Sequence, residues 1–249
     1  MIKFFRKLRQ RIFSDNSPAG RAGKLSKYSL YAIGEIVLVV IGILIALSIN
    51  NWNESRKLKE AETKYLLELK SNLLIDLEDI NHSISFTSDK IKSNQIVLEY
   101  LDGEQTFQDT LKKHFGNLSV SLHFTPQTSA IEGIKTAEGI NIIKNDSLRK
   151  ALSYTYDFMY KHIMYVEKED EHRFQYNILR PALNNNLKLN HLSNEAEPID
   201  NIDIKQNQSF RNVISSNVWY KKFLLSQYKL QYKTVSDLIQ LIEDELEAA

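Results

Sequence analysis

From Ser29 to Ile49 the chain reads SLYAIGEIVLVVIGILIALSI, 21 residues with a single ionisable side chain, Glu35. As a helix this run is about 31 Å long at about 1.5 Å per residue, which matches a bilayer hydrocarbon core of about 30 Å. Tyr28 and Tyr31 stand at one end and Trp52 at the other, where aromatic rings favour the membrane–water boundary. A buried core helix is the bland alternative, but the run is far more one-sidedly apolar than the rest of the chain. A cleaved signal peptide is the other rival, with Ala46-Leu47-Ser48 as a tolerable small-x-small site. The basic lead-in is long, however, and the run exceeds a usual signal core of about 7–15 residues, which favours an uncleaved signal anchor.

Charge assigns a direction to this span. Eight basic residues and only Asp15 and Glu35 precede residue 53, a net +6 in a chain whose overall formal charge is +1. The remainder is therefore acidic on balance. Basic flanks stay on the cytoplasmic side, so residues 1–28 are expected in the cytoplasm and 50–249 outside it, as the periplasmic part of a bacterial inner-membrane protein. Every later apolar stretch is broken by charges, so one pass is expected. Residues 1–13, MIKFFRKLRQRIF, project as a basic amphipathic helix suited to an anionic leaflet, or as a plain basic tail. Ser14–Ser26, with Pro18, Gly20 and Gly23, reads as a linker. An arm this short is expected to hold no folded catalytic or DNA-binding domain.

Glu35 is costly inside a span and is expected to face protein or water. Gly34, Gly42 and Ala46 lie near it on a helical net, and Gly42-x-x-x-Ala46 is a small-xxx-small pair that lets a second helix approach closely. Three readings stay open: a helix–helix contact through Gly34, Glu35, Gly42 and Ala46, a carboxylate that reaches up to the interface, and a proton-coupling acid. Tyr28, Tyr31 and Trp52 are the expected interfacial anchors.

The stretch YAIGEIVLVVIGILIALSINNWNE from Tyr31 resembles the hallmark of an uncharacterised family of bacterial, Bacteroidota-type single-pass membrane proteins. The MIKFFRK start and the block SAIEGIKTAEGINIIKNDSLRKAL from Ser129 are similar to that family as well. The resemblance implies an inner-membrane anchor and a helical soluble domain, and it brings no catalytic residues with it.

Beyond the span, helical periodicity dominates. No Pro or Gly interrupts Asn50–Asp102, and Leu66, Leu73, Ile80, Thr87, Asn94 and Leu101 share one heptad position. Leu77, Ile84, Ile91 and Leu98 form the expected second seam. Short helices are expected within about 107–137, with SVSLHF from Ser119 as a loop. A helix over about 146–180 starts at the Asn145-Asp146-Ser147 cap and ends before Pro181. Glu167–Arg173 reads as a solvated charge run, and 183–208 as an exposed Asn-rich loop. A last helix over about 210–246 carries Val218, Leu225, Tyr228, Tyr232, Val235, Ile239, Ile242 and Leu246 on its apolar face. Its acidic end opposes the helix dipole and is expected to fray. The fold class is therefore all-α: one transmembrane helix continuing into an elongated extracytoplasmic bundle.

Composition narrows the chemistry. With no Cys there is no thiol nucleophile, no Cys-ligated zinc and no iron–sulfur cluster. Near-neutrality argues against nucleic-acid binding. No nucleophile elbow, zinc-protease or phosphate-loop motif occurs. Asp79-x-x-His82 and Glu169-x-x-His172 each set a carboxylate and an imidazole on one helix face, yet both lie off the apolar seam, so no metal, cofactor or catalytic site is expected. The helical tyrosines, among them Tyr154, Tyr156, Tyr160, Tyr165, Tyr176, Tyr220, Tyr228 and Tyr232, are expected as packing residues or as the lining of an interhelical pocket. The functional expectation is a non-catalytic scaffold or accessory subunit. Its partners are the lipid bilayer and a second copy or another membrane protein. An extracytoplasmic sensor and a proton-coupled energising subunit using Glu35 are the alternatives.

Overall fold

A computed structural model describes residues 21–137, 139–190 and 192–248, with backbone alone for residues 21–28 and 30. The basic segment 1–13 and the side chain of Tyr28 lie outside the described residues. The fold is all-α. Helix α1 spans Arg21–Asp102, α2 Lys112–Gly116, α3 Ser129–Ala137, and α5 Gln208–Ala248. A further continuous helical stretch, α4, covers residues 146–186. Strands β1, Leu187–Asn190, and β2, Glu195–Pro198, pair antiparallel in a two-stranded sheet. Helix α1 begins inside the stretch read as linker, because Gly23 alone is too weak a breaker among good helix formers.

The chain divides into two compact units, Met1–Lys59 and Glu60–Ala249. In the first, α1 carries the apolar run, whose side chains from Tyr31 to Ile49 are all exposed. This segment is long and apolar enough to cross a membrane.

The second unit is built on seams. On α1 the buried residues are Leu66, Leu73, Ile80, Thr87, Asn94 and Leu101 at one heptad position. The complementary position is Leu69, Asp76, Ser83, Lys90 and Val97, all buried, rather than the expected Leu77, Ile84, Ile91 and Leu98. Of these, Ile91 is buried as expected, whereas Leu77, Ile84 and Leu98 are half-buried flanks. Apolar content alone favours the leucine and isoleucine stripe. The polar stripe wins because most of its side chains find partners inside. Helix α5 repeats the pattern, with Phe210, Ile214, Asn217, Lys221, Leu224, Tyr228, Gln231, Val235, Leu238 and Ile242 buried at 3-4 spacing.

Helix α4 is different. Asn145 caps it, accepting from the N–H groups of Ser147 and Leu148 at 2.9 and 3.2 Å. Its buried residues then recur mostly every fourth position: Leu148, Leu152, Tyr156, Tyr160, and later Glu167, Glu171, Gln175, Leu179 and Leu183. In a pure α-helix each four-residue step would drift by about 40°. Three π-helical stretches, Tyr154–Met159, Val166–Glu171 and Gln175–Leu179, underwind the helix and keep these residues inward. The last of them directly precedes Arg180-Pro181. The helix does not stop there but runs on to Asn186, since the widened turn accommodates the proline ring and its missing donor.

The expected loop over 183–208 is instead folded. Leu183, Leu187, Ala196 and Ile204 are buried in one cluster with Phe115, Phe174, Phe210 and Ile214. Gly116 lies against the hairpin so closely that a Cβ there would collide with the Asn194 carbonyl. Gly116→Ala is expected to destabilise the unit by about 2–3 kcal/mol, read as a lowered denaturation midpoint. The acidic end of α5 is tied down rather than frayed: Lys70 meets Glu243 at 2.8 Å, and Asn145 donates to Glu245 at 2.7 Å.

Candidate functional site

Apolar packing in the second unit forms two clusters. One joins Leu66–Ile80 of α1 to Ala130–Ile134 of α3, the first half of α4 and the second half of α5. The other joins Val97–Leu101 to Phe115, the second half of α4, the hairpin and the start of α5. Between them lies a polar belt. Helix α1 contributes Ser83, Thr87, Lys90 and Asn94, α4 contributes Glu167, Glu171 and Gln175, and α5 contributes Asn217 and Lys221, every one buried.

Asn217 is fully buried and ties three elements together. Its amide donates to Asn94 Oδ1 at 2.8 Å and to the Leu118 carbonyl at 2.9 Å, and its oxygen accepts from Gln175 at 3.3 Å. Lys221 Nζ lies 3.5 Å from Glu171 Oε1 and donates to Ser121 Oγ at 3.2 Å. Glu171 also accepts from the Ser121 hydroxyl and, at 2.9 Å, from Gln175. Lys90 Nζ donates to Asn117 Oδ1 at 3.1 Å and sits 4.9 Å from the centre of the Phe86 ring. Burial, and then the Lys221 charge, pull its ammonium down to about 8. Burial likewise lowers Lys221, against the pull of Glu171.

Asp76 and Glu167 carry the belt into the first cluster. Asp76 accepts the Gln127 N–H at 2.8 Å and the Tyr160 hydroxyl at 2.7 Å. Glu167 accepts the Phe124 N–H at 3.1 Å and the Tyr228 hydroxyl at 2.5 Å. Burial pushes Asp76 up to about 6, opposed by those hydrogen bonds and aided by Asp79. Burial pushes Glu167 up to about 7, opposed by Tyr228 and Phe124 and aided by Glu171 and Asp79. The tyrosine hydroxyls beside them are raised far above their usual range, first by burial and then by the adjacent carboxylate.

Glu167 and Glu171 fall within the stretch read as a solvated charge run, and both are 3% exposed. The four-residue register of α4 turns these two acids inward while Lys168, Asp170 and Arg173 stay outside. Of the tyrosines, Tyr156, Tyr160 and Tyr228 are buried, whereas Tyr154, Tyr165 and Tyr176 are exposed. The two carboxylate–imidazole pairs do not converge: Glu169 is engaged by Arg173 at 2.6 Å, and His172 packs 4.1 Å from the Tyr176 ring. Among the described residues no group of three or more His, Asp or Glu is placed to hold a metal ion.

In the span, Gly34 and Gly42 have open space where a Cβ would stand. At about 100° per residue, Glu35, Gly42 and Ala46 fall within about 40° of one another, while Gly34 lies about 80–120° from all three. Tyr31 and Trp52 are exposed, by 39% and 67%.

The sequence matches the family described as Family of unknown function (DUF6090) over residues 35–204, about two-thirds of the chain. The chain belongs to that family. No curated protein and no solved structure matches it. The DUF6090 match takes in the span from Glu35 and the buried acids Asp76, Glu167 and Glu171. Helix α5, which brings Asn217, Lys221 and Tyr228 to the belt, lies beyond it.

Proposed function

We propose that this DUF6090 member is a non-catalytic, membrane-anchored interaction subunit that associates through its span with a second copy or another membrane protein. The observation that carries the reading is the face formed by Glu35, Gly42 and Ala46. A carboxylate on a wholly apolar helix is costly against lipid, and it stands on the same face as the two small residues that permit close helix approach. A partner helix seated there gives Glu35 a hydrogen-bond partner and removes it from hydrocarbon. The basic lead-in supports a cytoplasmic N-terminus, with the helical unit on the opposite side of a bacterial inner membrane. The second unit supports an interaction role rather than catalysis, because its buried acids are engaged by Tyr hydroxyls and backbone N–H groups instead of facing an open cleft.

Glu35→Ala and Gly42→Leu are expected to dissociate the complex that wild-type protein forms in mild detergent, read by native gel electrophoresis. Each change removes one component of the contact, the polar partner or the close approach. Complexes of unchanged size and composition in both variants would overturn the reading.

A further inference from the structure

Residues 119–127, between α2 and α3, lie in extended, irregular conformation across α1, α4 and α5. Among the described residues this segment makes no backbone–backbone hydrogen bond. Its attachments are side chains of the helices beneath it: Glu171 and Lys221 hold Ser121, Glu167 holds the Phe124 N–H, and Asp76 holds the Gln127 N–H. Phe124 is the apolar plug, 2% exposed and 5.0 Å from the Tyr160 ring centre. At the head of the segment, Val120 has φ 79°, a left-handed conformation that a β-branched residue rarely adopts. Strain of this kind costs about 1–3 kcal/mol and persists only where surrounding contacts enforce it. A strained hinge and main-chain anchors that are all ionisable distinguish this strap from an ordinary loop, whose amides bond to backbone or water.

We propose that residues 119–127 are a proton-latched strap, seated when Asp76 and Glu167 are protonated and loosened when both are ionised. Seating the strap dehydrates both carboxyls, which disfavours their charged forms, while lifting it at the Val120 hinge returns them to water. By linkage, protons therefore favour the seated state, and both groups titrate as the pH rises through about 6 and about 7.

Other groups around the latch either reinforce or oppose it. Asp79 on α1 faces both acids and reinforces the preference for protons. On α4, Glu171 acts the same way on Glu167, and Tyr156 lies within electrostatic reach of Asp76. On α5, Tyr228 donates to Glu167, and Lys221 is engaged by Glu171. On the strap itself, His123 stands 4.0 Å from Glu167 and attracts it when charged. At the strap's entry, Lys90 bonds Asn117, while His114, held below its usual range by burial, opposes the trend in acid.

Hydrogen–deuterium exchange of the full chain in detergent micelles tests this, with rates corrected for the intrinsic pH dependence of amide exchange. Wild-type residues 119–127 are expected to be protected about tenfold or more better at pH 5.5 than at pH 7.5, the effect of about one linked proton over the interval. The Asp76→Asn/Glu167→Gln double variant should lose the pH dependence and stay protected at both values. Tyr228→Phe, which removes a donor to the ionised carboxylate, should move the wild-type midpoint to higher pH. Equal wild-type protection at the two pH values overturns the proposal even if no variant folds. An undiminished pH dependence in the double variant, or a midpoint moved downward by Tyr228→Phe, also overturns it.

Discussion

Lys221→Ala is expected to destabilise the second unit by about 3–5 kcal/mol, seen as a large fall in the denaturation midpoint of the full chain. The lysine is 2% exposed and lies 3.5 Å from the buried Glu171. Removing it leaves a carboxylate among apolar clusters with only Ser121 and Gln175 as donors. The large effect does not mean that the ion pair is a net source of stability. Two dehydrated charges offset much of their own attraction, as the lowered Lys221 ammonium reflects. A Lys221→Met/Glu171→Gln variant keeps the shapes and removes both charges, so it should recover most of the loss. If the double variant is as unstable as Lys221→Ala, the damage comes from packing and the electrostatic account of the belt fails.

The second large effect is a stability that rises on mild acidification. Asp76 and Glu167 bind protons more tightly folded, at about 6 and about 7, than unfolded, near about 4. Groups raised in this way contribute stability that is present in acid and lost as the pH climbs through the folded values. At about 1.4 kcal/mol per unit, and discounted for residual hydration, the two together are worth about 2–4 kcal/mol between pH 7.5 and pH 5. In a unit of this size that is a melting temperature about 5–10 °C higher at pH 5. His114 works in the opposite direction, because burial holds it below its usual value and charging it in acid costs stability. Asp102 and Asp157, lowered chiefly by their hydrogen bonds to Arg211 and Lys135, lose their contributions only at more acid pH. Thermal unfolding across this range checks the sign, and a midpoint that falls steadily from pH 7.5 to 5 contradicts the assignment of Asp76 and Glu167.

Much of this architecture is legible in the residues themselves. The span is a contiguous apolar run, and the Asn145 cap and the seam from Leu66 to Leu101 obey local rules of spacing. What is not legible is the belt. Asp76, Ser83 and Lys90 lie on a buried stripe that hydropathy scores as surface, and the partners of Asp76 and Lys90, Tyr160 and Asn117, stand far along the chain. Glu167 and Glu171 are hidden for a second reason. A 3.6-residue period carries them off the apolar face, and only the π turns of α4 bring them back. One signal is present in retrospect: the spacing 148, 152, 156, 160 followed by 167, 171, 175, 179 and 183 is too close to four for an α-helix. The hairpin over 187–198 is missed because its strands are four residues long and polar on one side.

The central claim is that the span carries an interaction face, and a single-cysteine cross-linking scan in native membranes tests it most directly. The chain contains no cysteine, so one introduced at a time between residues 33 and 46 reports alone. Cross-linked products are identified by mass spectrometry, whether the partner is a second copy or another membrane protein. The account predicts strong products at positions 39, 42 and 46, which share the face of an intact Glu35, and weak ones at 33, 37 and 44 on the opposite face. Uniform labelling around the helix, or no product at any position, would contradict it.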